Sequence, residues 1–251
     1  MPPHGILRGR DVSLSATTRE PSFEGLQVPP SRSNGLTRLL LLCGIGAVAV
    51  YFLADVLASA LYGGYSYTDQ TISELSAVGT PTRSLWLSFS VVFNLLWLGC
   101  AAGIWRASDG KRRLRVIAVC VAILGGLGLL VWPFAPIHQR ELAVSGETYF
   151  SDTLHAFLIF VNSILFLIAT GAGLIAFGGR FRLYTIVTIV VVLMVGGVAV
   201  QESTRIELGE PTPGLGISER TAVYGSLLWP AIVSLNLRRS QPDRRPPTPS
   251  S

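Results

Sequence analysis

The chain has 251 residues, of which 49% are hydrophobic and only 14% charged, and its net charge is +5. A soluble domain carries about a quarter charged residues, so this is the composition of a membrane protein and not of a water-soluble enzyme. The basic residues lie where an anionic lipid leaflet accounts for them, which removes the argument for a nucleic-acid partner.

Residues 1–36 are rich in Pro, Ser and Arg and end in PPSRSNG; they hold too little apolar surface to fold alone and read as a disordered tail. The first apolar run, 39–61, matches the roughly 20 residues that cross a bilayer. Ala58, Ser59 and Ala60 resemble a cleavage site, but the run exceeds the roughly 7–15 residues of a signal core, so it reads as a retained span. Next comes GGYSYTDQTISELSAVGTPTR, where Thr71 and Glu74 have capping-box spacing, Ile72, Leu75 and Val78 recur on one side, and Gly79 and Pro81 end the run. The pattern predicts a short amphipathic helix on the outer surface. It would cap the bundle and turn Asp69, Ser73 and Glu74 toward the other outer loops; alternatively, Glu74 only caps its own helix.

Further spans are expected at 85–105, 116–132, 153–177, 183–200 and 221–237, the last kinked at Pro230. The third contains AILGGLGLL, where Ala122 and Gly126, four apart, suggest a face for close helix packing, as do Gly44, Gly46, Gly171, Gly173, Gly196 and Gly197 elsewhere. Residues 239–251 read as a second disordered tail. The expected protein is all-α: a compact six-transmembrane-helix bundle over 37–238, with a short external interfacial helix.

Sixteen of the twenty Lys and Arg residues fall before the first span, between the second and third, after the fourth and after the sixth. Short basic segments resist translocation, so both termini are expected in the cytoplasm, with the protein in the cell membrane. Cys43, Cys100 and Cys120 all lie within spans and read as small packing residues.

Acids and histidines, by contrast, collect at the outer end. Asp55 lies about 25 Å across a layer of about 30 Å, where an acid faces a partner or a cavity. The candidate binding residues are Asp69, Ser73, Glu74, His138, Arg140, Asp152, His155, Glu202, Glu219 and Arg220. Asp152 and His155, three apart at a helix start, share a face: the carboxylate orients the imidazole, or the two are ligands of a metal site, or Ser151 or Asp152 caps the helix and His155 makes a local hydrogen bond. Glu219 and Arg220 read as part of an ion-pair lock at the bundle mouth. Asn94 and Asn162 are the chief polar groups at mid-depth, too few for an ion relay across the layer.

The stretches YSYTDQTISELSAVGTPTR, PFAPIHQR with SDTLHAF, and GISERTAVYGSLLW resemble those of prokaryotic integral membrane proteins in domain of unknown function family 998, over about residues 40–237. The resemblance implies six membrane helices with an external polar face, and no activity. Two functions remain open. One is a binding or accessory role for the external cluster, with membrane lipid, a second copy or another membrane protein as partner and no cofactor. The other is a membrane-embedded, hydrolase-like enzyme acting on lipid or a lipid-linked substrate at the outer face, with His155, Asp152 and Glu74 as catalytic candidates. His138 and His155 are the metal-binding candidates, although a zinc site needs three or more ligands and would have to recruit carboxylates.

Overall fold

The computed structural model describes residues 33–147 and 149–240. Its elements are α1 (Ser33–Leu61), a 3-10 turn (Ser73–Ser76), α2 (Arg83–Ala107), α3 (Arg112–Leu130), a second 3-10 turn (Trp132–Phe134), α4 (Arg140–Val144), α5 (Phe150–Ala176), α6 (Gly179–Glu207) and α7 (Leu215–Arg239). Among the described residues every regular element is helical, as composition implies. The expected tails over 1–32 and 241–251 lie outside the described residues; α1 already begins at Ser33 and α7 continues to Arg239.

Among the described residues five helices are long and apolar enough to cross a membrane: Gly35–Leu61, Arg83–Ala107, Arg112–Leu130, Phe150–Ala176 and Gly179–Glu207. The expected sixth, α7, is not among them; it carries Glu219 and Arg220 near one end and Arg238 and Arg239 at the other. It also runs on through Pro230 as one helix. The long helices form a ring in which α1 packs on α2, α2 on α3, α3 on α5, α5 on α6, α6 on α7, and α7 back on α1.

The ring turns apolar side chains outward. On α6 only Thr185 and Thr188 are buried, while Met194 is 71% exposed. So much exposed apolar surface would be unfavourable in water and is the normal exterior in hydrocarbon. Inside, Trp229 is fully buried. Its indole N–H donates to Thr185 Oγ1 at 3.0 Å, because a polar atom in the core must find a partner.

Of the glycines that spacing suggested, Gly44 and Gly173 do make close helix contact, a Cβ on the first meeting Ser234 and Cys100 and on the second the Trp229 ring. Gly171 and Gly197 have open space, and in the third span the contact shifts to other glycines. Gly126 has open space beside it, whereas a Cβ on Gly128 would run into the Asn94 amide and one on Gly125 would meet Leu98 at 3.1 Å. The seam between α2 and α3 therefore lies one step round the helix from the Ala122–Gly126 face. Asn94 is one of the two expected mid-depth polar groups; it is buried there, and its Nδ2 donates to Ser90 O at 2.8 Å.

Candidate functional site

Three connecting segments, 62–82, 131–149 and 208–214, meet at one end of the ring. The first folds as a cap for local reasons. Thr71 N–H reaches Glu74 Oε1 at 3.5 Å and Glu74 N–H reaches Thr71 Oγ1 at 3.3 Å, the reciprocal pattern of a capping box. Ile72 and Leu75 go into a small apolar cluster with Ala54, Ala58 and Trp86, and Gly79, at φ +84°, turns the chain out. The expected surface helix is thus a single 3-10 turn, and Val78 is exposed rather than buried with Ile72 and Leu75. Val78 instead joins the second segment, its N–H donating to Ile137 O at 2.9 Å.

Two guanidinium groups fasten this cap. Arg140 Nε donates to both Glu74 oxygens at 3.0 and 3.1 Å, and Nη2 reaches Glu74 Oε1 at 2.8 Å and Asp69 O at 2.9 Å. Its Nη1 donates to Thr212 Oγ1 at 2.8 Å, tying in the third segment. Glu74 therefore does more than cap its own turn. A planar fork makes this geometry possible, so Arg140→Lys should loosen the cap by about 1–3 kcal/mol. Hydrogen exchange would then speed up in residues 66–78; unchanged exchange would mean that the fork is dispensable.

The second clasp lies deeper. Arg220 is 4% exposed and Asp55 fully buried, and they pair through Nη2–Oδ1 at 2.8 Å and Nε–Oδ2 at 3.1 Å. Arg220 Nη2 also donates to the Tyr65 hydroxyl, and Nη1 to the carbonyls of Tyr67, Gln70 and Gly216, so all five N–H groups are engaged. The guanidinium lies 3.6 Å over the Tyr67 ring. Asp55 accepts further hydrogen bonds from Tyr224 at 2.8 Å and Tyr67 at 3.1 Å. Burial pushes the Tyr65 phenol up, against the pull of Arg220, so it stays a neutral donor and acceptor.

Glu219 does not pair with its neighbour Arg220. Its carboxylate receives the Ile72 N–H and the Ser73 hydroxyl, the latter at 3.2 Å, and so caps the 3-10 turn from another helix. Ser73 Oγ also lies 3.1 Å from His155 Nε2. His155 Nδ1 is 2.8 Å from Ala135 O, which can only accept, so Nδ1 carries a proton; Nε2 of the neutral ring and the Glu219 carboxylate then compete for the single Ser73 hydroxyl proton.

Asp152 therefore does not orient His155. It takes the backbone N–H of His138 at 2.9 Å and His138 Nδ1 at 3.0 Å, with the imidazole stacked on Tyr149 at 3.7 Å. Neither Ser151 nor Asp152 caps α5, whose N-cap is Tyr149 with no side-chain cap bond; the carboxylate is occupied by His138. Glu202 stands apart, paired with Arg205 at 3.1 Å. Asp69, Ser73, Glu74, Arg140, His155, Glu219 and Arg220 thus converge, His138 and Asp152 form a neighbouring node, and Glu202 joins neither. Among the described residues no group of three or more His, Cys, Asp or Glu is arranged to hold a metal.

Asp69 latches the third segment by accepting the Gly214 N–H at 3.0 Å. That bond, with help from the Ser66 hydroxyl, holds its carboxyl below the usual range. A lowered pKa stabilises the fold fully above the ordinary carboxylate value, and the contribution fades as pH falls through the lowered one. Proteolysis within 208–214 should therefore accelerate on acidification in the native protein and lose that part of its pH dependence in Asp69→Asn.

Sequence spacing did not single out Tyr65, Tyr67, Tyr224 or Thr212. The available signal was the i, i+4 relation of Arg220 and Tyr224, which places both on one helix face. In comparison with known proteins, the family described as "Protein of unknown function (DUF998)" matches over residues 45–236. No curated protein and no solved structure matches.

Proposed function

As the chain belongs to the DUF998 family of proteins of unknown function, we propose that it is a six-span protein of the cell membrane with both termini cytoplasmic. In this reading it serves a binding or accessory role through its capped outer end. Charge asymmetry supports the orientation, and the packing of α7 between α6 and α1 supports a sixth crossing.

One observation carries the binding reading: the charges beneath the cap are committed to one another. Every N–H of Arg220 has a protein acceptor, and the Arg140 fork is divided between Glu74, Asp69 and Thr212. The outer end is then a fixed platform, suited to presenting a surface to membrane lipid, a second copy or another membrane protein.

A specific contact favours the second reading, a hydrolase-like enzyme acting on lipid or a lipid-linked substrate. Ser73 Oγ lies within reach of an imidazole nitrogen whose opposite N–H is fixed on a carbonyl, the arrangement that activates a serine nucleophile. His155 would take the Ser73 proton as Oγ attacked an ester carbonyl carbon and return it to the alcohol oxygen as the ester C–O bond broke, leaving an acyl group on Ser73 for water to hydrolyse.

Native mass spectrometry of the protein released gently from membranes, beside Arg140→Ala and Ser73→Ala, separates the two. A bound species lost from Arg140→Ala and kept by Ser73→Ala supports the binding reading. A fluorophosphonate adduct on the wild type that disappears in Ser73→Ala overturns it in favour of the enzyme.

A further inference from the structure

At the end of the ring opposite the cap, the ends of α2, α5 and α7 and the start of α3 line an open cavity of about 640 Å³. Lys111, Arg112 and Arg113 form its charged wall, with Asp109 as the acid among its lining residues. The rest of the lining is mostly apolar and includes Leu114, Phe177 and Leu237. Among the described residues none of the three cations is in an ion pair. Arg113 is held in place by donating from Nη1 to Ile175 O at 3.0 Å, while Arg115, on the same helix, is stacked over Trp105 and does not line the cavity.

We propose that this cavity binds the phosphate-bearing headgroup of an anionic lipid, with the start of an acyl chain against Leu114, Phe177 and Leu237. Charge selects the headgroup: three cations against the one carboxylate of Asp109 leave the lining net positive. The apolar part of the lining selects a lipid over a free phosphate compound, which would leave that surface unused. Location agrees, because basic pockets between membrane helices on the cytoplasmic side face the anionic leaflet. The volume falls within the usual range for small-molecule sites, roughly 300–1,000 Å³, and is far larger than phosphate alone requires. The proposal is independent of what the outer cap does.

The test uses the full chain in mild detergent, with phosphatidylglycerol and phosphatidylcholine of identical acyl chains as probes and binding followed by native mass spectrometry. Phosphatidylglycerol should bind stoichiometrically and phosphatidylcholine much more weakly. Lys111→Gln with Arg112→Gln removes two exposed charges and should weaken phosphatidylglycerol binding about thirtyfold. Arg180→Gln with Arg182→Gln, at the same end but outside the cavity, should change it less than threefold. Equal binding of the two lipids overturns the proposal without recourse to any variant. Equal weakening by both double variants overturns it too, since the attraction would then be a diffuse field. Competition by glycerol phosphate as effective as that by phosphatidylglycerol assigns the site to soluble phosphates and removes the lipid.

Discussion

Arg220→Met should destabilise the protein by about 3–5 kcal/mol, because it strands a fully buried Asp55 carboxylate without its cation. The loss should appear in SDS-driven unfolding from mixed micelles, together with rapid proteolysis of residues 62–72, where the Tyr67 carbonyl loses its Arg220 donor and the Gln70 carbonyl keeps only the Tyr65 hydroxyl. Combining it with Asp55→Leu removes the stranded charge. The double variant should therefore recover about 2 kcal/mol relative to the sum of the two single losses. Strictly additive losses would mean that the pair does not act as a unit, and the account of the deeper clasp would fail.

A smaller substitution should have an effect of opposite sign to its helix propensity. Gly216 lies in the first turn of α7, and Gly→Ala in a helix ordinarily gains about 1 kcal/mol. Here a Cβ would press on the carbonyl oxygens of Gln70 and of Tyr67, the latter at 2.6 Å. Neither atom can rotate away, since both belong to the backbone of the cap. Gly216→Ala is thus expected to cost about 1–3 kcal/mol and to loosen the Arg220 bonds to those same carbonyls. Gly171→Ala, with open space beside it, is the control and should be neutral or slightly stabilising. If the two variants unfold alike, α7 does not approach the cap as closely as described.

How far the amino-acid pattern discloses this architecture depends on the range of the interaction. Six apolar runs were legible as helices, and among the described residues five of those helices are long and apolar enough to cross a membrane, since length and hydropathy are properties of a single segment. The capping box at Thr71 and Glu74 was legible for the same reason. Pairings between segments were not: Asp152 stands three residues from His155 and suggested an orienting contact, yet its oxygens go to His138, fourteen residues back. Glu219 and Arg220, adjacent in the chain, point to different partners because successive helical residues do not share a face. Glu202 has the same depth signal as the others but finds a counter-ion three residues away in Arg205. Depth brings groups to one end of a bundle; only packing decides which of them touch.

The Asp55–Arg220 pair joins α1 to α7 across 165 positions of chain. Synthesis therefore delivers the acid long before its cation, and an acid on a membrane helix is costly while it waits. Until α7 enters, the Tyr67 carbonyl lacks its Arg220 donor, the Gln70 carbonyl has only the Tyr65 hydroxyl, and Asp55 has only hydroxyl groups to answer it. Closing of the ring by α7 and fastening of the deeper clasp therefore go together, whereas the Arg140–Glu74 clasp needs no residue of α7. A chain stalled before Arg220 is thereby distinguishable from a finished one by a single unpaired carboxylate, the kind of mark by which a quality-control protease can tell an incomplete membrane protein from a complete one.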